Sequence, residues 1–392
     1  MARVVVCLAL DERDPWKLAP ARLHDRTWIP GGVRTLHELA AASAAAGYET
    51  EVRGDFHGGV LAEMSEAAGV HVGAPRHPRK PEPEDLLCVP DGIGDPAFFI
   101  RVALMVSRPV YLALAPPGLF GWSFVPGWRY VEALDVDAES VGLAEHCRTI
   151  GALGFRVWTN ASTLGDAFHS AGAPATVIGG GRPTPLPPEP SKDVDVVSVA
   201  DNRWASVTRA ALRGFKGTWR ELPPTQNTEL IRELGRGRVL VHCARIEGLS
   251  RLALEARSMG TCCVGLESNR FGVGFDDSCG GATAASVEEI PTIVEGILSD
   301  ADGLAARQEL ARASARASSD WDRYVDRVGN AIAEIEAASD ARDAPWRHVA
   351  SELAHRNTTP EDALTEPRAR GWRGVARGLT RWPPVLRSTS SR

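Results

Sequence analysis

Two glutamates, Glu247 and Glu255, flank the segment Gly248-Leu249-Ser250-Arg251, and these residue types suit a ligand with hydroxyls at both ends and an anion in the middle. A carboxylate accepts paired hydrogen bonds from neighbouring hydroxyls. Gly248 permits close approach of the backbone. Leu249, Ser250 and Arg251 come at the start of an expected helix, where amide N–H groups lack intrahelical acceptors and the dipole favours negative charge. Glu255 falls roughly 8 Å along that helix. A hydrolytic pair of carboxyls would have to face one scissile bond, which this spacing does not favour. Each glutamate alone is an ordinary helix-end or solvated-face residue; the pair around an anion seat carries the reading.

The stretch RVLVHCARIEGLSRLALEARSMGTCCVG (238–265) supplies the elements that would position them: a strand, a short loop and a helix. Glu247 lies at the carboxyl end of the strand, where open parallel sheets bind their ligands. A nucleotide sugar has the matching layout, with sugar hydroxyls, a pyrophosphate and then ribose hydroxyls.

The same stretch resembles the retaining glycosyltransferases of family 4, whose mark is a Glu-x7-Glu motif in a run such as E-G-F-G-L-x-x-x-E-A-M-A-x-G-T-P-V-V. This chain reads E-G-L-S-R-L-A-L-E-A-R-S-M-G-T-C-C-V from Glu247 to Val264. The resemblance implies an α/β fold of GT-B architecture: two Rossmann-like domains whose parallel sheets face an interdomain cleft, with a C-terminal helix packing back across both. It implies that Glu247 contacts hydroxyls of the donor sugar, that Glu255 holds the ribose, and that the amides of Gly248, Leu249 and Ser250 hold the pyrophosphate. The chain departs from the family at Ser250, where glycine is frequent, at Arg251 and Arg257, usually apolar, and at Cys262, usually proline.

Further pieces extend the likeness. Gly31 and Gly32 in PGGVRTLHELAAASAAAGYETEV look like the family's glycine pair, whose backbone amides approach the donor phosphates across the cleft. A basic pair usually follows the first strand of the donor domain and supplies cations to the leaving diphosphate. Here Arg203 is the expected cation and Lys216, in FKGTW, the second candidate. The histidine that often follows a strand of the acceptor domain has no match in PVYLALAPPGLFGW.

Around the motif, short apolar runs alternate with alanine-rich segments of helical period, the pattern of parallel strands joined by crossover helices. Strands are expected at 3–10, 48–53, 85–90 and 109–115, with helices over 36–46 and 97–106. RVWTNASTLGDAFHSAG adds a strand and a helix before TVIGGG at 176–181. RPTPLPPEPSKD, with five prolines in twelve residues, belongs to neither a strand core nor a helix interior. The expected division is an acceptor-binding domain at 1–183, a linker at 184–193 and a donor-binding domain at 194–318. That second domain has strands at 194–200, 238–243 and 261–267, a helix near 205–213 and another in VEEIPTIVEGILSD. A cross-over helix follows at 319–340 and an extension at 341–392. The acceptor is expected near the loops at 11–16, 90–95 and 115–122, with Trp122 and Trp128 as stacking candidates.

The bulk numbers agree with this outline. The 392 residues, 44% hydrophobic and 24% charged, suit two globular domains. Seven scattered cysteines show neither CxxC pairs nor a zinc-type spacing, which fits a reducing compartment. The opening MARVVVCLALDERD reads as a buried strand rather than a leader, and no run approaches the roughly eighteen apolar residues of a membrane span. A cytoplasmic protein is expected. Residues 367–392 carry seven of the 44 basic residues and no acid, so the remaining 37 face 50 acids, a balance of −13. So acidic a body argues against coating nucleic acid, whereas the tail suits weak contact with an anionic surface, such as the inner membrane face.

The expected partners are therefore a nucleotide-sugar donor and an acceptor that the sequence leaves open among small molecules, glycans and lipid-linked compounds, with no nucleic acid. No DxD sequence or His/Asp cluster is placed to hold a metal, so neither metal nor cofactor is expected, the nucleotide sugar being a substrate. Two alternatives share the donor site: a non-catalytic GT-B nucleotide-sugar-binding subunit, and a GT-B epimerase or hydrolase.

Overall fold

The structure, a computed structural model, describes residues 3–7, 22–23, 31–56, 58–74, 81–91, 96–114, 136–200, 204–223, 225, 227–244, 247–269 and 272–338. Along the chain the first set of elements is β1 (Val4–Cys7), β2 (Arg22–Leu23), α1 (Gly31–Ala45), β3 (Thr50–Arg53), β4 (Asp55–Phe56) and α2 (Gly58–Ala67). It continues with β5 (Leu86–Pro90), α3 (Pro96–Met105), β6 (Arg108–Ala113), α4 (Val136–Ala152), β7 (Arg156–Thr159), α5 (Ser162–Ser170) and β8 (Ala175–Val177). Six of these strands form one parallel sheet in the order β3-β1-β5-β6-β7-β8, and β2 pairs separately with β4.

No strand or helix occurs between Val177 and Val194, where the prolines are concentrated. A second series then runs β9 (Val194–Val199), α6 (Ala205–Ala211), β10 (Trp219–Leu222), α7 (Asn227–Arg236), β11 (Gly237–Val241), α8 (Arg251–Ser258), β12 (Cys262–Leu266), β13 (Ala282–Ala284) and α9 (Ile290–Ser299). Its sheet is also parallel, in the order β10-β9-β11-β12-β13. In each sheet the winding reverses beside the first strand, between β1 and β5 and between β9 and β11. Such reversals open a crevice at the carboxyl ends of the strands.

Strand alternation builds the cores. Val4 and Val6 of β1 point to the α1 face of the first sheet, while Val5 and Cys7 join Phe99, Tyr111 and Phe168 on the other. In β11, Val239 and Val241 face α9, and Leu240 faces Ala253 and Ala256 of α8. Both faces of each sheet are covered, which is why its strands read as apolar runs.

The last described elements are α10 (Ala301–Ser319) and α11 (Trp321–Ala337). Asp320 ends the first of these and caps the second, its carboxylate accepting from the Arg323 amide at 3.0 Å. Helix α10 packs on α8 in the second unit. Helix α11 crosses to the first, where Tyr324, Val328, Ile332 and Ile335 pack against Leu36 and Leu39 of α1.

Two details differ from the sequence expectations. Helix α1 starts at Gly31 rather than near residue 36, so the glycine pair opens the helix instead of preceding it. Helices α2, α4, α7 and α10 and strands β2, β4, β10 and β13 were not among the expected elements. No helix among the described residues is long and apolar enough to cross a membrane.

Candidate functional site

The strand β11 ends at Val241, and the buried residues His242, Cys243 and Ala244 carry its line onward. Glu247 follows at the carboxyl end of the sheet, with its side chain one-third exposed. His242 Nε2 lies 2.7 Å from Glu247 Oε2. A carboxylate can only accept, so the imidazole donates. The ring stacks on Phe275 at 6.0 Å between centroids, and the Glu247 amide donates to Asn269 Oδ1 at 2.9 Å. Side chain and backbone of Glu247 are thus both held.

Gly248 is pressed against the other domain. A Cβ there would stand 2.9 Å from Leu164 Cδ1 of α5, and 3.1 Å from both Asn160 Oδ1 and the Leu114 carbonyl oxygen. Only glycine fits without movement. Leu249 forms a parallel bridge with Val273, whose amide donates to the Gly248 carbonyl at 3.4 Å. Ser250 is the N-cap of α8: its backbone is extended (φ −67°, ψ 112°) and its hydroxyl accepts from the Ala253 amide at 3.3 Å. Helix-favouring Leu, Ala, Glu and Arg fill α8. It ends where Gly260 takes φ +68° and the Thr261 amide turns back to the Ala256 carbonyl at 3.0 Å.

Glu255, one turn into α8, is nearly buried and is met by α1. Arg34 Nη1 donates to Glu255 Oε1 at 2.9 Å, and Arg34 Nε lies 3.5 Å from Glu38 Oε1 on the same helix. Glu38 also receives Arg251, the first residue of α8. The two switch-point helices therefore meet through two arginines and two glutamates, one of each from each helix. Arg182, in the segment joining the sheets, borders the group, its Nε donating to the Thr184 carbonyl at 2.9 Å. Burial, with the like charge of Arg34 beside it, lowers the Arg182 pKa to about 10. Burial raises the Glu38 pKa above the ordinary carboxylate value, and Arg251 and Arg34 pull it back.

The residues at which the sequence departs from the pattern it resembles have partners here. Arg251, at a position where that pattern is apolar, pairs with Glu38. Arg257, almost fully buried, donates to Ser314 Oγ of α10 at 2.9 Å, and the missing Cβ of Gly274 leaves it room. Cys262 opens β12 in register with Val239.

Of the residues expected at the site, Glu247, Gly248, Leu249, Ser250 and Glu255 are gathered around the start of α8. Gly31 and Gly32 form the first turn of α1, the helix that supplies Arg34. Lys216 is not brought there: it is exposed in the turn leading into β10, beside the Asp195–Thr218 hydrogen bonds at the amino ends of β9 and β10, the far edge of the sheet from the cleft. Arg203, Trp122, Trp128, the loops at 11–16, 92–95 and 115–122 and the tail at 367–392 lie outside the described residues. Sequence reasoning missed Arg34, Glu38, Arg182, His242, Asn160 and Asn269. A signal existed for the first two, an Arg/Glu pair four residues apart just after the glycine pair. Among the described residues no group of three or more His, Cys, Asp or Glu side chains could hold a metal ion.

No family model and no curated protein matches the sequence. Solved structures do match the fold. A sucrose-phosphate synthase from Thermosynechococcus elongatus superposes with a TM-score of 0.59 at 12% identity, over 86% of this chain and 100% of that one. HepE from Anabaena, solved in complex with UDP-glucose, gives 0.54 at 15% identity, over 85% and 100%. A glycosyltransferase from Rickettsia africae gives 0.53 at 11% identity, over 85% and 98%. The chain has the GT-B fold. In GT-B terms, Glu247 and the start of α8 stand on one wall of the interdomain cleft, and α1 with Arg34 and Glu38 on the other.

Proposed function

We propose that the chain is a glycosyltransferase that moves a sugar from a nucleoside diphosphate sugar to an acceptor hydroxyl, with retention and without a metal. The observation that carries this reading is the holding of Glu247. Its carboxylate reaches solvent at the carboxyl end of β11, fixed by His242 at 2.7 Å, just ahead of a capped helix start. The structural likeness to HepE, solved with UDP-glucose, supports a nucleotide-sugar donor.

In this reading Glu247 accepts from hydroxyls of the donor sugar, the amides at the start of α8 face the diphosphate, and Glu255 takes the ribose. The acceptor oxygen forms a bond to the anomeric carbon while the bond from that carbon to the diphosphate oxygen breaks. The electron pair leaves with the diphosphate, and the acceptor's proton passes to the departing oxygen on the same face. Amides and guanidinium groups supply the positive field that a metal would otherwise provide.

One observation favours a second reading, a nucleotide-sugar-binding subunit without turnover: Glu255 is already engaged by Arg34. Incubation with UDP-, GDP-, ADP- and dTDP-sugars in EDTA, following release of nucleoside diphosphate, separates the two. Slow release from one donor, lost in Glu247→Ala, supports transfer. Binding without release, with or without a panel of hydroxyl acceptors, supports the subunit. Absence of both binding and release rejects this site.

A further inference from the structure

The group of five charges between α1, α8 and the joining segment is unbalanced. Arg34, Arg182 and Arg251 face Glu38 and Glu255. Arg34 Nε, Arg251 Nε and Nη1, and Arg182 Nη1 are buried without a hydrogen-bond partner among the described residues. Buried guanidinium N–H groups left unmatched are costly. Arg251 is tied to Glu38, and Arg182 to the carbonyls of Thr184 and Pro185. Arg34 differs because its one firm partner is Glu255, the carboxylate given above to the ribose.

We propose that Arg34 is the diphosphate-binding cation of the donor site, parked on Glu255 until the ribose hydroxyls take that carboxylate. The proposal rests on the donor-site reading above. Its position supports it: Arg34 is in the first turn of α1, behind Gly31 and Gly32, where the helix amides and dipole also favour an anion. Released from Glu255, it would otherwise share Glu38 with Arg251, leaving a buried guanidinium with no carboxylate of its own. A nucleoside alone takes Arg34's partner and offers no acceptor anion in its place. A nucleoside diphosphate brings that anion, so the site selects diphosphates over bare nucleosides. Arg34 thereby supplies from the first domain the cation that Lys216, at the far edge of the second sheet, cannot.

The test is calorimetric titration of the full chain with UDP, GDP, ADP and dTDP and with the four matching nucleosides, in wild type, Arg34→Ala, Arg34→Lys and Glu255→Gln. Arg34→Ala is expected to weaken the preferred diphosphate by about tenfold or more, as expected for loss of a charge-assisted hydrogen bond. The matching nucleoside should bind as well or better, because its carboxylate is no longer occupied. Arg34→Lys, which keeps the charge and guards against a folding defect, should retain most of the preference for diphosphate. Glu255→Gln should weaken nucleoside and diphosphate together. Equal or tighter diphosphate binding by Arg34→Ala would show that Arg34 only plugs the site, and would overturn the proposal alone. Wild type binding none of the four diphosphates would remove the donor-site reading, and this proposal with it.

Discussion

Glu38, on the buried face of α1, receives the guanidinium of Arg251 from the first residue of α8, so an acid from one domain and a base from the other meet away from water. Removing one member of a buried pair strands the other, at a cost of about 3–5 kcal/mol. Glu38→Leu is expected to lose stability on that scale in urea unfolding. The double change Glu38→Leu/Arg251→Leu should recover most of it, because two apolar side chains strand no charge. A double variant as unstable as the sum of the singles would count against this pairing.

The short contact between His242 and Glu247 leads to a kinetic expectation. His242→Phe preserves an aromatic ring beside Phe275 and deletes the N–H that holds the carboxylate. A loosely held carboxylate costs rate through misplacement, by about 10²-fold for a shift of an ångström. In steady-state kinetics kcat should fall by about one to two orders of magnitude, while affinity for the nucleoside diphosphate stays close to wild type.

At Gly248 the added methyl of an alanine would meet the Leu114 carbonyl oxygen, a backbone atom that cannot swing aside, at 3.1 Å. Gly248→Ala should therefore part the two walls slightly and destabilise the protein by about 1–3 kcal/mol. Thermal unfolding measures the loss, and small-angle scattering the separation.

Lys192 makes stability depend on pH. Its ammonium donates to the Met259 carbonyl at 2.7 Å and to Thr261 Oγ1 at 2.8 Å, and burial lowers its pKa from 10.5 to about 8. Between those values the unfolded chain binds more protons than the native one, so this residue's contribution to stability rises with pH. Wild type should gain on Lys192→Met as pH climbs from 8 toward 10.5, with the difference flat between pH 6 and 7. Unfolding midpoints of the two proteins across that range test it.

The parts of the molecule that were legible in the sequence are those where one local pattern decides. Apolar runs such as VVVC and GRVLV are buried on both faces and could be read directly as parallel strands. Glu247 to Glu255 lie on one loop and one helix, so their spacing alone brought them together. Helix α10 was hidden because Ala311 and Ala315 are its buried residues, and alanine on an arginine-rich background makes little hydrophobic period. Arg34 and Glu38 escaped for a different reason. Their partners lie more than 200 residues away, and only the closing of two sheets on one cleft shows that Arg34 faces Glu255 and Glu38 faces Arg251. Lys216 was misplaced because motif order says nothing of which end of a strand a loop occupies.

The packing of α11 on α1 also has a meaning for how the protein is made. The core on the α1 side of the first sheet, which holds Leu36 and Leu39 of that helix, is completed by Tyr324, Val328 and Ile332, residues from the far end of the described chain. During synthesis the N-terminal half leaves the ribosome with α1 in place but the α11 part of that core still missing, and α11 fills it only after the second half has been translated. The two halves are thus not independent modules in biogenesis. A chain stopped before Trp321 would leave part of that apolar core exposed, so the first sheet's core depends on residues more than 200 positions downstream of α1.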